Sequence, residues 1–444
     1  MSSLGVHNEP SLEDAAELEG RDWTPGSIYA LAFLSLIYSF NAFDRNLFGM
    51  LIPLIKSDFQ LTDTALALIS GLAFILFYSL AGVPIGRLAD VGNRRNIIAI
   101  GFTFWSLVTA ISGLATNVWH LLILRFLQGA GEAAGVPPSQ SMVSDIFSKR
   151  RRPLALAIIS GGAAITGLVF TPLAGVIAER YGWRMAFLAA GAPGVILGLI
   201  FWMSVPEPSR GATEAKGANL DPANFMESLG FLLRQWAFVL VLIGGGIFGI
   251  VTAINFTWSV AFLVRVHHLS MSQIGFTVGP IRGLIGAGAG ILGAVIAQRM
   301  SKRDERWALW VPAAGSLIAA PCEVLFVMAP SPGLSLLGLT LQSFFGGLCM
   351  PALYAACLSL ARVRMRTLAS ALFLLAVNLV GQAVGPVAIG AGTDALAGQY
   401  GQMAIRHSML IVMPLSSLLA GLCFLWASWL FAAGTARAAA VPAA

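Results

Sequence analysis

Twelve stretches of this 444-residue chain are each long and apolar enough to cross a lipid bilayer. They run at about 27–55, 64–89, 95–115, 118–147, 153–179, 183–205, 236–266, 272–300, 306–329, 332–361, 367–394 and 404–432. In hydrocarbon no water is present to satisfy backbone N–H and C=O groups, so a spanning segment must be an α-helix or part of a closed barrel. The runs are continuous and rich in Leu, Ala and Gly, without the period-two alternation of barrel strands, which predicts an all-α membrane protein. Composition agrees: 57% of residues are hydrophobic and only 11% charged, against about 25% charged in soluble domains. The net charge of +6 does not point to nucleic acid, because the basic residues collect in loops between the apolar runs.

Those loops set the orientation. With the N-terminus inside, 19 of the 27 Lys and Arg fall on the cytoplasmic side, 5 on the other, and Arg45, Arg125 and Arg282 within the membrane. An even number of spans and this excess predict that both termini are cytoplasmic. The longest polar interruption, 206–235, divides the spans six and six. The expected organisation is an acidic, disordered tail at 1–26, a six-helix domain at 27–205, a linker at 206–235, a second six-helix domain at 236–432 and a tail at 433–444. Residues 223–233 have the pattern of a short amphipathic helix on the cytoplasmic face, read here as a tether. A basic turn after the second span, GRLADVGNRR (86–95), is echoed after the eighth by AVIAQRMSKR (294–303), as expected of two related halves.

Cys322, Cys349, Cys357 and Cys423 lie in apolar segments and read as packing residues. No metal spacing, cofactor motif, phosphate loop or nucleophile–base arrangement stands out, so neither an enzyme nor an ATP-driven pump is expected. A non-transporting receptor or scaffold would carry a sizeable soluble domain, and the loops hold none.

The residues that most invite a functional reading are ionisable groups inside the spans. Asp44 and Arg45 sit in FLSLIYSFNAFDRNLFGMLIPLI, and Arg125 and Glu132 in WHLLILRFLQGAGEAAGVPPSQSMV. A charge at the bilayer centre costs about 2.5–3.5 kcal/mol even on the lenient insertion scale, so such groups face a protein interior or a wet cavity. At a rise of about 1.5 Å per residue, Asp44 lies about 16 Å and Glu132 about 20 Å from the outer ends of their spans. They share a layer if those spans face one another. Burial favours a neutral carboxyl and a nearby guanidinium a charged one, so Asp44 and Glu132 read as proton carriers, with Arg45 and Arg125 tuning them or binding an anionic group. A static buried ion pair is the alternative. Arg282, in the eighth span, reads either as a head-group contact or as a snorkelling side chain. Asn41, Tyr78, Gln128, Ser139, Asn255, Trp258, Asn378 and Gln382 are further candidates for a cavity wall. Asn378 and Gln382, one turn apart, form the best substrate-facing pair.

The loop Gly86, Leu88, Ala89, Asp90, Arg94, Arg95 resembles the signature joining spans two and three in the major facilitator superfamily, with Val91 and Asn93 where the pattern has Arg and Gly. Within that superfamily NAFDRNLFGMLIPLIKSDFQLTDTALALISG (41–71), RFLQGAGEAAGVPPSQSMVSDIF (125–147), GWRMAF (182–187) and RTLASALFLLAVNLVGQAVGP (366–386) are most similar to bacterial spinster-type transporters. The resemblance implies twelve helices in two halves around a central cavity, alternating access, a monomer in the inner membrane surrounded by lipid, and a proton-coupled lipid-like or amphipathic substrate. Organic-anion symporters of the same superfamily are the alternative. The polar and ionisable residues read above as facing such a cavity give the expected substrate contacts, Asn41, Arg125, Glu132, Trp258, Arg282, Asn378 and Gln382. The resemblance also implies a cytoplasmic gate at Asp90, Arg94 and Asp145, which links the second, third and fourth spans and helps hold the halves together when the protein is open outward.

Overall fold

Helix starts are marked by side chains that replace missing carbonyl acceptors. Thr24, Thr62, Asn93, Asn117, Ser270 and Ser331 each accept a hydrogen bond from the backbone N–H of the first turn, and Ser270 forms a reciprocal capping box with Gln273. In the computed structural model, which describes residues 23–148, 150–210, 225–362 and 365–439, the chain is helical apart from short turns. Residues 1–22 of the acidic tail, residues 211–224 of the linker and the side chain of Asp90 lie outside the described residues.

In chain order the helices are α1 (Pro25–Phe59), α2 (63–91), α3 (Arg94–Ser112), α4 (Val118–Glu132), α5 (Val136–Ile146), α6 (152–181), α7 (183–204), α8 (Phe225–Leu233), α9 (Trp236–His267), α10 (Met271–Met300), α11 (Trp307–Met328), α12 (Pro332–Ser359), α13 (366–400) and α14 (Ala404–Ala439). Among the described residues nine helical stretches are long and apolar enough to cross a membrane. Two of these, of 53 and 65 residues, exceed what one crossing can use and turn back at Gly182 and Gly401. Both glycines have positive φ, at 80° and 53°, a conformation that glycine adopts without a side-chain penalty. The remaining crossing is α4 with α5. Gly135, Pro137 and Pro138 interrupt that span directly after Glu132, which places a carboxylate at a helix break. The twelve crossings expected from the sequence are thus accounted for, and α8 is a short helix of nine residues before the seventh crossing.

Four crossings contain a wide π-helical turn: Leu68–Ala73 in α2, Thr166–Phe170 in α6, Ile281–Gly286 in α10 and Ala376–Val380 in α13. These are the second, fifth, eighth and eleventh crossings, the middle helix of each consecutive group of three. No periodicity in the sequence announced them.

Packing differs between the two ends of the bundle. At the end carrying the basic turns, each half has its own core. Phe40, Phe102, Trp105 and Phe201 fill that of the N-terminal half, and Phe238, Leu353, Phe373 and Phe424 that of the C-terminal half. At the opposite end one core is shared: Phe48, Leu51, Trp183 and Phe187 of the first half pack with Trp258, Phe262 and Phe326 of the second. Small residues bring the backbones together there. Gly167 of α6 lies against Gly279 and Gly283 of α10, and Gly49 of α1 lies against the Phe256 carbonyl of α9. Any Cβ at Gly167 would overlap the Gly279 carbonyl. Gly167→Val is therefore expected to part the halves at this end. Longer distances between spin labels on the 60–62 and 268–270 turns would report it, and an unchanged distribution would contradict the packing described.

Candidate functional site

Between the halves, next to the shared core, is a cavity of about 330 Å³. From the first half come Tyr38, Asn41, Arg45, Phe74, Arg125 and Thr166. From the second come Thr252, Phe256, Arg282, Val377, Asn378 and Gln382. All four π-turns reach it, through Ser70, Thr166 and Gly167, Arg282 and Gly283, and Val377 and Asn378. A π-turn makes room for one extra residue and turns side chains away from the regular helical stripe, which is how Arg282 comes to face inward.

The wall carries three guanidiniums, Arg45, Arg125 and Arg282, and no carboxylate. The acids stand behind it. Glu132 is wholly buried, and its Oε2 accepts from Arg45 Nε at 2.9 Å and from Asn41 Nδ2 at 3.2 Å. The Arg45 guanidinium lies 4.7 Å from the Tyr78 ring centre and 5.4 Å from that of Phe74, and Arg125 stacks 4.1 Å above Phe48. These are cation–π contacts, each worth about 0.5–2 kcal/mol according to how far the pair is shielded from water. Asp44 is buried behind α1 beside Thr109, with Oδ2 3.3 Å from the hydroxyl. On the other wall Arg282 donates to the Asn255 carbonyl and the Ser259 hydroxyl and lies 5.1 Å from the Phe256 ring centre.

The structure therefore brings Asn41, Asp44, Arg45, Arg125 and Glu132 into one cluster and sets Arg282, Asn378 and Gln382 across the cavity from it. Several expectations need correction. Tyr78, Gln128, Ser139 and Asn255 do not line the cavity, Gln128 being taken up by Arg125 and Thr109 and Ser139 by the Gly135 carbonyl. Glu132 touches the cavity only through Arg45 and Asn41, because the break after α4 turns its carboxyl into the helix contact. Trp258 does not reach the cavity at all. It is fully buried in the shared core, and its indole N–H donates to the Pro386 carbonyl at 3.0 Å.

At the basic end Arg94 is almost completely buried and pairs with Asp145 of α5 and with Glu207, Nε to Oε1 2.8 Å. The second oxygen of Glu207 accepts the backbone N–H of Arg95 at 2.7 Å. Glu207, just beyond α7, had no signal in the sequence beyond its place after the sixth span.

The opposite end holds a cluster that the sequence reading passed over. Asp63, 1% exposed at the start of α2, receives both guanidinium nitrogens of Arg265 from α9 at 2.7 Å and Lys56 at 2.8 Å. Asp394 of α13 accepts the Asp63 and Thr64 backbone N–H groups at 3.0 and 2.8 Å and the Thr64 hydroxyl at 2.6 Å. Glu179 of α6 accepts the Ser272 N–H of α10 at 2.7 Å. Each contact except that of Lys56 joins one half to the other. A forked Arg–carboxylate pair fixes geometry as well as charge, and removing one partner of a buried pair costs about 3–5 kcal/mol. Arg265→Ala is expected to shift the balance toward a state open at this end by roughly two orders of magnitude, measured as the population of separated spin-label pairs across the 60–62 and 268–270 turns. An unchanged population would show that the shared core closes this end by itself.

A family model described as Major Facilitator Superfamily matches residues 34–386. The chain is 29% identical to an "MFS-type efflux pump" of Mycolicibacterium smegmatis over 90% of its own length and 92% of that protein. It is 25% identical to "Protein spinster homolog 3" of Danio rerio over 96% of its length and 89% of that protein. Its structure superposes with a TM-score of 0.79 on a bacterial homologue of the human lysosomal transporter spinster, solved inward-facing and unoccupied, at 25% identity and covering 94% of this chain and 98% of that one.

Proposed function

We propose, on the premise that this chain belongs to the Major Facilitator Superfamily of multi-pass membrane transporters, that it couples protons to the movement of an amphipathic substrate bearing an acidic group. One observation carries this reading: three guanidiniums face the cavity while the balancing carboxyls sit directly behind them. A cavity wall so arranged favours an anion, and Phe74, Phe256 and Val377 offer an apolar surface for the body of the molecule. An acidic lipid-like substrate and an aromatic acid both meet this description.

The basic end is assigned to the cytoplasm by the Lys/Arg excess. Closure at the other end, by the shared core and the Asp63 cluster, then makes this the inward-facing state. Residues 27–205 and 236–432 rock about the cavity as two bodies, exchanging the Asp63 contacts for contacts at the basic end. The Arg45 guanidinium is the point of coupling. Glu132 and a substrate anion compete for it, so an anion drawing Arg45 away leaves Glu132 to be neutralised by a proton. Proton and substrate occupancy are thereby linked.

The test is uptake into proteoliposomes of a lysophospholipid with a free phosphate, an aromatic acid and an uncharged alkyl glycoside, with and without an imposed pH gradient. Gradient-driven movement of an acid is expected, with the glycoside excluded. Arg45→Gln is expected to lower that movement at least about tenfold, the cost of one charged hydrogen-bond partner. Glu132→Gln is expected to leave residual movement indifferent to the gradient. Preference for the glycoside, or a Glu132→Gln protein still driven by the gradient, would refute the assignment.

A further inference from the structure

Asp44 is 2% exposed and among the described residues makes no ion pair, and its Oδ1 has no hydrogen-bond partner. On α3 it faces the Trp105 indole and the Thr109 hydroxyl, and from Thr109 a connected chain leads to the cavity. Arg125 Nη1 donates to Gln128 Oε1 at 2.7 Å, Gln128 Nε2 donates to Thr109 Oγ1 at 3.1 Å, and Thr109 Oγ1 lies 3.3 Å from Asp44 Oδ2. The direction is forced at its head. A guanidinium only donates, so Gln128 must turn its carbonyl to Arg125 and its NH₂ to Thr109. The Thr109 oxygen then accepts from Gln128 and has one hydrogen for two acceptors, Asp44 Oδ2 and the Trp105 carbonyl at 3.0 Å.

We propose that Thr109 is a proton-sensing toggle, a positioning residue that through Gln128 reports the charge of Asp44 to Arg125. With Asp44 ionised the hydroxyl points at the carboxylate. Every link from guanidinium to carboxylate then runs donor to acceptor in one direction, an order in which hydrogen bonds polarise and strengthen one another. With a proton on Asp44, the carboxyl donates to the Thr109 oxygen, both lone pairs of that oxygen are filled, and its hydrogen swings to the Trp105 carbonyl. The charge ending the chain is gone, and Arg125 is held less firmly and turns more readily to an anion in the cavity. The charged groups facing Asp44 are Glu132 and Arg125 of α4, and α3 contributes only the neutral Trp105 and Thr109. Arg45, its neighbour in the chain, is committed to Glu132.

The inference rests on the proton-coupled reading, and the experiment separates the two. Protein in nanodiscs is examined by acid-minus-neutral difference infrared spectroscopy, with the Asp44 carboxyl band identified by its loss in Asp44→Asn and the Glu132 band by its loss in Glu132→Gln. Thr109→Val, which keeps the shape and removes the hydroxyl, is expected to move the Asp44 band. It is also expected to flatten the pH profile of the spin-label distance across the 60–62 and 268–270 turns, as Asp44→Asn does. Thr109→Ser is expected to restore both, and Gln128→Leu to flatten the profile with the Asp44 band retained. A Thr109→Val protein with the wild-type band and profile overturns the toggle. A wild-type spectrum with the Glu132 band and no Asp44 band overturns it too, while leaving proton coupling through Glu132 intact.

Discussion

A guanidinium or carboxyl held at the depth of a bilayer's hydrocarbon has to find its partner within the protein. The N-terminal half meets that requirement by grouping its charges. Arg45 lies on Glu132 and on two aromatic faces, Arg125 on Phe48 and Gln128, and Asp44 on Thr109. Three helices must keep their register for these contacts to exist, so the charges fix the relative heights of α1, α3 and α4 more narrowly than apolar packing between featureless faces could. The C-terminal half carries less. Arg282 is satisfied by a backbone carbonyl and a hydroxyl, and among the described residues it has no carboxylate partner.

The asymmetry between the two ends follows from where backbones can approach. Glycines at 49, 167 and 279, in the wall of the cavity, let α1 touch α9 and α6 touch α10, and beyond that contact the aromatic core shared by both halves closes the end away from the basic turns. The Asp63 cluster adds polar contacts of fixed geometry, which can be made or lost as a unit. At the basic end each half is packed around itself, and Arg94 with Asp145 and Glu207 ties the first half together internally. A bundle whose halves have separate cores at one end and a common one at the other is suited to rocking, since only one interface has to be exchanged. The π-turns in the middle helix of each group of three fall at the height of the cavity, where regular α-helix would point Arg282 and Asn378 elsewhere.

Much of this architecture is legible in the chain because lipid leaves few choices. Apolar runs of sufficient length must be helices, their number sets how often the chain crosses, and an ionisable residue inside a run must face inward. Those rules found the twelve crossings and singled out Asp44, Arg45, Arg125, Glu132 and Arg282. They failed wherever a residue's role depends on a partner far away in sequence. Asp63 and Asp394 are ordinary acids at helix ends until 331 residues of separation are closed by folding. Thr109 is one of many hydroxyls in a span, and only the position of Gln128 on the next helix makes it a link. Trp258 misled for the same reason: an indole within a span is equally compatible with a cavity wall and with a core, and the Pro386 carbonyl decides between them.

What the sequence determined by itself was the solvent, the helical class, the number of crossings and the presence of buried charge, because each follows from local composition and from the energetic cost of polar groups in hydrocarbon. What the tertiary structure alone decided was which charges face the cavity and which stand behind it, and which end of the bundle is closed. Those depend on side-chain direction and on contacts between helices hundreds of residues apart, and no local pattern of amino acids encodes either.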